Sequence, residues 1–284
     1  MDSAGPPDPA ATWEETLPIN ADFDAPWVAA AVAWIVDRQR PRSAVDVGCG
    51  AGGAACALAA ALGPSGRVSA LDVDPRLVVA ARRRAADAGV SGRIGFAVGD
   101  VGAPCVRPGS VELVWASGVV HHLADQQAGV DRLVALLAPG GRLALVESGL
   151  PMRCLPHEIG IGRPGLEARL DEARARWFVE LRHGLGGVAL PYGWPEALRR
   201  AGLVDVATRS FVVERTTPLD DVGRRIVRLH LTSAATELAP HLGVDDLAVV
   251  RRLLDPDDPA CVERRTDVFP MAVRTLHVGV RPPG

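Results

Sequence analysis

Between residues 40 and 150 the apolar positions switch repeatedly between a strand-like and a helix-like period. "SAVDVG" (43–48) is a short apolar run broken by one acid and predicts a buried strand. "GGAACALAAALG" (52–63) predicts a helix closed by Gly63, and "GRVSALDVDP" (66–75) a strand with a polar exit. "PRLVVAARRRAADAG" (75–89) reads as a helix with Pro75 at its start and Gly89 at its end. "GRIGFAVGD" (92–100) and "VELVWASG" (111–118) add two strands. "QQAGVDRLVALLAPGG" (126–141) is a helix and turn, and "RLALVES" (142–148) a fifth strand. Strands alternating with helices of this length imply an α/β fold with a parallel sheet wound by right-handed crossovers.

Outside that block the pattern changes. Residues 1 to about 20 are rich in Pro, Ala and Asp and read as loose, whereas "WVAAAVAWIVD" (27–37) predicts an apolar helix stopped by "RQRPRS". Residues 158–184 are helical and highly charged, "WPEALRRAGL" (194–203) is an amphipathic helix, and "DVATRSFVVER" (205–215) is a strand. Residues 219–254 return to helix, and "AVRTLHVGVR" (272–281) predicts a final strand. The expected organisation is an N-terminal helical segment (1–40), a core (41–150), a helical insertion acting as a lid (151–192), and the rest of the core (193–284) with a second helical insertion at about 219–265. Two uses fit that second insertion, with its His230 and its run "IVRLHLTSAA": a lid or a homodimer surface.

Composition narrows the function classes. The net charge is −3 and the pI about 6.2, so no global field attracts nucleic acid or an anionic membrane. All 31 basic residues are arginine, which removes Schiff-base and P-loop lysines from consideration. The five cysteines, Cys49, Cys56, Cys105, Cys154 and Cys261, form no C-x-x-C pair; they match neither a disulfide framework nor a zinc motif, and no metal is expected. With an acidic, polar start and no apolar run near the ~18 residues of a membrane span, the expected location is the cytoplasm.

The chemistry starts at "VDVGCGAGG" (45–53). Gly48-x-Gly50-x-x-Gly53 fits a dinucleotide fingerprint, and Asp46-x-Gly48-x-Gly50-x-Gly52 fits a glycine loop for S-adenosylmethionine. Asp72 lies 20 residues beyond Gly52 at the end of the next strand, where an acid can accept both hydroxyls of a ribose. Asp74, just before Pro75, suits a helix cap better. Asp100 ends the third strand, where a carboxylate can accept from the exocyclic amine of adenine, with Val101 to pack on the ring.

Taken together, "VDVGCGAGG", "LDVDP", "VGD", "LVWASGVVHHL" and "LLAPGGRLALVE" stand in the order and spacing of one family. Over residues 43–148 the chain resembles the class I S-adenosylmethionine-dependent methyltransferases, of the small-molecule type. The resemblance implies a seven-stranded doubly wound sheet in the order 3-2-1-4-5-7-6, strand 7 antiparallel, with helices on both faces. It implies S-adenosyl-L-methionine as cofactor and S-adenosyl-L-homocysteine as product. Asp46, Gly48, Gly50 and Gly52 would hold the methionine end and ribose side. Asp72 would bind the ribose hydroxyls, Asp100 with Val101 the adenine, Ser117 would line the methionine part, and Val73 beside Asp72 would also contact the cofactor.

The place where base-methylating relatives carry an Asn/Asp-Pro-Pro-Tyr string reads "ASGVVHHL", and no basic stripe with interleaved aromatics is present. A small-molecule acceptor is therefore expected over RNA or DNA, with an oxygen, nitrogen or carbon atom methylated. The rival from another class is a protein of this fold that binds the cofactor without transferring methyl, as a cyclase or scaffold. His121 and His122 are the candidate bases, with His122 the more structural of the two; Glu147 at the end of strand five is a candidate acid facing the acceptor. His157 and Glu158 could close over the acceptor. The aromatics Trp177, Phe178, Tyr192 and Trp194 suit core packing or an acceptor pocket, and the arginines of 158–184 suit a solvated, ion-paired helix face.

Overall fold

The computed structural model describes residues 9–100 and 106–284. In chain order these form α1 (Pro9–Gln39), β1 (Ser43–Val47), α2 (Gly53–Ala61), β2 (Arg67–Asp72), α3 (Pro75–Asp87), β3 (Ile94–Val98), β4 (Val111–Ser117), α4 (Gln126–Leu136) and β5 (Leu137–Arg153). They continue with α5 (Leu166–Gly184), α6 (Trp194–Arg200), β6 (Val204–Glu214), α7 (Asp221–Thr236), α8 (Val244–Leu254) and β7 (Met271–Val280). Among the described residues no helix is long and apolar enough to cross a membrane.

The seven strands form one sheet in the order β3-β2-β1-β4-β5-β7-β6, the order expected from the family resemblance. β3, β2, β1, β4 and β5 pair in parallel. β7 runs antiparallel to both neighbours. Arg281 bonds to Gly140 and Gly141, and Phe269 to Cys154, so its numbering falls as that of β5 rises. Thr208 meets His277 and Ser210 meets Thr275 in the same sense across β6. Alternation along each strand sends side chains to two helical layers. Val45, Val47, Val114 and Ala116 share a core with Val130 and Leu133 of α4 and Ala197 and Leu198 of α6. Trp115, one residue out of phase, faces the other way and stacks on Trp27 of α1 with ring centroids 6.0 Å apart.

Two elements differ from expectation. The helix preceding β1 begins at Pro9, not near Trp27, despite Pro18 and Pro26 inside it. Phe23, Trp27, Ala31 and Ile35, four residues apart, are all buried, and that tertiary packing outweighs the backbone hydrogen bonds the two prolines cannot make. The segment "LAPGG" is not a free turn: it belongs to β5. The β4–β5 register jumps from Val111↔Leu137 to Leu113↔Arg142, so it forms a bulge. Gly140 there has φ 77°, and a Cβ on Gly141 would come within 2.9 Å of the Ala138 and Val111 carbonyl oxygens.

The chain divides into two compact units. The first comprises residues up to Ser148 together with 188–211 and 274–284; the second comprises Gly149–Gly187 and Val212–Val273. The second unit has its own apolar core, with Leu166 and Leu170 of α5, Val227 and Leu231 of α7, and Val250 and Leu253 of α8. Within it Asp246, buried at the start of α8, receives Arg169 of α5 through two bonds of 2.7 and 2.9 Å, with Arg163 at 3.5 Å.

Candidate functional site

Three residues of the turn after β1 have left-handed backbone: Gly48 (φ 69°), Gly50 (φ 50°) and Gly52 (φ 81°). Two of them are required by the protein itself. A Cβ on Gly48 would lie 2.3 Å from the Val119 side chain, and one on Gly52 would lie 2.8 Å from Ala81 of α3. At Gly50 the nearest group is the Leu17 side chain of α1, at 3.6 Å. The turn is closed by the Gly52 N–H donating to Cys49 and anchored by the Cys49 N–H donating to Leu71, each at 2.8 Å. Gly53 begins α2, where a Cβ would meet Ala21 of α1 at 3.2 Å. α1 therefore covers this turn, and Arg84 of α3 holds it there through Asp22 (2.7 Å) and the Pro18 carbonyl (3.3 Å).

Two buried carboxylates face the turn. Asp46, on β1, is 2% exposed and its Oδ2 has no hydrogen-bond partner. Burial, and then the nearby Asp72 charge, push its carboxyl up to about 7, opposed by the Ala55 N–H. Asp72 ends β2 and accepts the Gly50 N–H at Oδ2 (2.8 Å) and the Asp74 N–H at Oδ1 (3.0 Å). Each oxygen keeps a second lone pair for another donor. Asp74 caps α3 by accepting from the Arg76 N–H and pairs with the Arg76 side chain. The β2–β3 register places Val98 beside Asp72, and Val73 and Val98 are 62% and 52% exposed, with exposed Asp100 just beyond. Val101 lies outside the described residues.

This donor set suits an adenosine with a cationic tail. An unpartnered buried carboxylate oxygen fits a positive group, paired carboxylate lone pairs fit a ribose diol, and bare valines at two strand ends fit a flat ring.

The end of β4 and the stretch of β5 paired with it form the next part of the edge. Ser117 is half-buried and pairs with Val146 across the strands. Glu147 is buried, and its Oε1 accepts the N–H groups of Val119 (2.9 Å) and Val120 (2.7 Å). Its Oε2 holds His121 Nδ1 at 2.7 Å. A neutral His121 that donates from Nδ1 carries its lone pair on Nε2. The His122 ring lies 4.0 Å from that of His121, and burial, then its neighbour's charge, lower its pKa to about 4. His122 is thus neutral at ordinary pH. Glu147, expected to end strand five and face an acceptor directly, lies inside β5, which continues to Arg153, and spends both carboxylate oxygens on the loop after β4.

The other singled-out residues are placed within their own units. Tyr192 and Trp194 pack on the first unit's core, where the Tyr192 hydroxyl donates to Gln127 Oε1, while Trp177 packs on the core of the second. His157 and Glu158 are exposed. A cleft of about 370 Å³ in the second unit is lined by Arg224, Arg264 and Arg265, among others. Arg265 is committed to Asp267 and the Ile159 carbonyl, and Arg264 to the Pro256 carbonyl. Sequence reasoning missed Leu17 and Ala21 over the glycine turn and Val119 against Gly48. The signal for α1 was present in the four-residue spacing of Phe23, Trp27, Ala31 and Ile35, but the prolines obscured it.

Comparisons with known proteins bear on the family and the fold. Residues 44–141 match the family model described as a methyltransferase domain. The chain is 28% identical to a trans-aconitate 2-methyltransferase of Methylobacterium radiotolerans, over 76% of this chain and 95% of that protein. It is 33% identical to a 27-O-demethylrifamycin SV methyltransferase of Amycolatopsis mediterranei, over 56% of this chain and 53% of that one. The fold is shared with the crystal structure of a putative methyltransferase from Bacillus halodurans. There the TM-score is 0.53 and the identity 15%, over 89% of this chain and 98% of that one.

Proposed function

Residues 44–141 carry a class I S-adenosylmethionine-dependent methyltransferase domain, and from this premise we propose that the protein methylates an oxygen, nitrogen or carbon atom of a small molecule of specialised metabolism. When bound, S-adenosylmethionine supplies a methyl group already activated on a sulfonium, so the chain's contribution is mainly alignment and exclusion of water. Asp46 receives the positive end, Asp72 the ribose hydroxyls, and Val73, Asp100 and Val101 the adenine. Gly48, Gly50 and Gly52 shape the turn, and Ser117 lines the methionine portion.

The observation that carries the acceptor side is the His121–Glu147 pair. Glu147 orients the loop after β4 and keeps the His121 proton on Nδ1, so that Nε2 can take a proton from a hydroxyl, a carbon acid or a protonated amine. His122, neutral beside it, supports the ring by packing. The two relatives named above act, by their names, on trans-aconitate and on 27-O-demethylrifamycin SV, which supports a small-molecule acceptor.

Calorimetry with S-adenosylmethionine is expected to show micromolar binding that weakens at least tenfold in Asp72→Ala; no binding by the native chain would overturn the reading. Release of S-adenosylhomocysteine only when an acceptor is added separates a transferase from a cofactor-binding cyclase or scaffold.

A further inference from the structure

The second unit holds a polar cluster that methyl transfer does not use. Cys154 follows β5, Glu167 sits in the first turn of α5, and His230 lies in the middle of α7. All three are buried, at 0%, 6% and 6% exposure, among Leu155, Leu166, Leu170 and Leu231. One ligand atom from each, thiol sulfur, carboxylate oxygen and imidazole nitrogen, lies within 4.8 Å of the others. Glu167 divides its work. Its Oε1 accepts the N–H groups of Cys154 (2.7 Å) and Leu155 (2.9 Å), while Oε2 faces His230 Nε2 at 3.2 Å.

We propose that Cys154, Glu167 and His230 form a binding site for a divalent metal of zinc type. A tetrahedral zinc with bonds of about 2.0–2.1 Å to nitrogen and oxygen puts those two atoms about 3.3 Å apart, close to the observed spacing. The mixed sulfur, nitrogen and oxygen set suits zinc and disfavours calcium and magnesium, which take oxygen. Glu167 is already oriented by the two backbone N–H groups on Oε1, the kind of outer support that metal ligands receive. Binding forms Zn–S, Zn–N and Zn–O bonds. The S–H bond of Cys154 breaks and its proton leaves to solvent, while the His230 ring moves its proton from Nε2 to Nδ1. The fourth position is left for water. The sequence holds no zinc motif because the three ligands are 13 and 63 residues apart and meet only in the folded unit.

The test uses the full chain, stripped with a chelator and titrated with zinc and with cobalt(II). One equivalent of zinc per chain is expected, and cobalt(II) should develop a thiolate charge-transfer band together with intense tetrahedral d–d bands. Cys154→Ser should abolish the charge-transfer band, and Cys261→Ser should leave it intact. The cobalt spectrum of the native chain decides the question even if Cys154→Ser fails to fold. No bound metal, a spectrum without the thiolate band, or unchanged binding in a folded Cys154→Ser variant would each overturn the site and leave a hydrogen-bonded triad in its place.

Discussion

In the proposed site, Asp46 would link cofactor binding to a proton. Its carboxyl is raised from an ordinary 3.8 to about 7, so the folded state holds that proton more tightly than the unfolded chain. Its contribution to stability is fully present below the unfolded value and is lost as pH rises through the folded one. A cation beside Asp46 requires the ionised form, so cofactor binding should release a proton below pH about 7. Affinity is then expected to rise with pH by up to ~tenfold per unit below that value and to level off above it. Calorimetry at several pH values, in buffers of different ionisation heat, reads both effects; Asp46→Asn should flatten the dependence, and a flat native profile would refute it. For the acceptor side, His121→Ala is expected to lower kcat about 10²-fold or more if it is the base. Glu147→Gln should lower kcat less, since it removes the carboxylate that holds His121 Nδ1 and leaves the imidazole in place. Equal turnover in native and His121→Ala proteins would remove the base from the mechanism.

At the scale of elements, the two loops that build the site are interlocked. Val119 packs on Gly48 while its N–H is held by Glu147, so a change in the glycine turn reaches the loop after β4. Gly48→Ala adds a side chain in left-handed backbone against Val119 and is expected to cost about 1–3 kcal/mol, weakening cofactor binding and turnover together. Denaturant unfolding and calorimetry on the variant measure the two. α1 makes a second link: Phe23 is fully buried, and Phe23→Ala should destabilise by about 3–5 kcal/mol. An unfolding midpoint close to native would show that α1 is not part of the folded core. The alternation of strands and helices between residues 43 and 148 was legible because each strand and helix there carries its own period and its own stop signal. The bulge at "LAPGG" was not, since Gly140 and Gly141 look the same in a turn and in a bulge until the Arg281 partner is in place.

For the molecule as a whole, two stretches far apart in sequence, 149–187 and 212–273, make one unit. The Arg169–Asp246 pair joins them across 77 residues. Arg169 is partly shielded and Asp246 is buried, so Asp246→Ala leaves a half-buried guanidinium without its carboxylate. The expected loss is about 2–4 kcal/mol, discounted for the solvent that reaches Arg169. A variant with the native unfolding midpoint would show the pair to be neutral. The charged run over 158–184 read as a helix face paired with itself, yet Arg169 is committed to a distant helix, which no local spacing could indicate.

By itself, the sequence determined the α/β class, the order of strands and helices in the core, and the positions of the glycine turn and of Asp72 and Asp100 at strand ends. Those features depend on periods, caps and turns that act over a few residues. Only the tertiary structure decided that α1 covers the turn, that Glu147 supports His121 from beneath, and that Cys154, Glu167 and His230 meet in one core. Such relations rest on packing and burial between residues 13 to 77 positions apart, which side-chain periodicity does not encode.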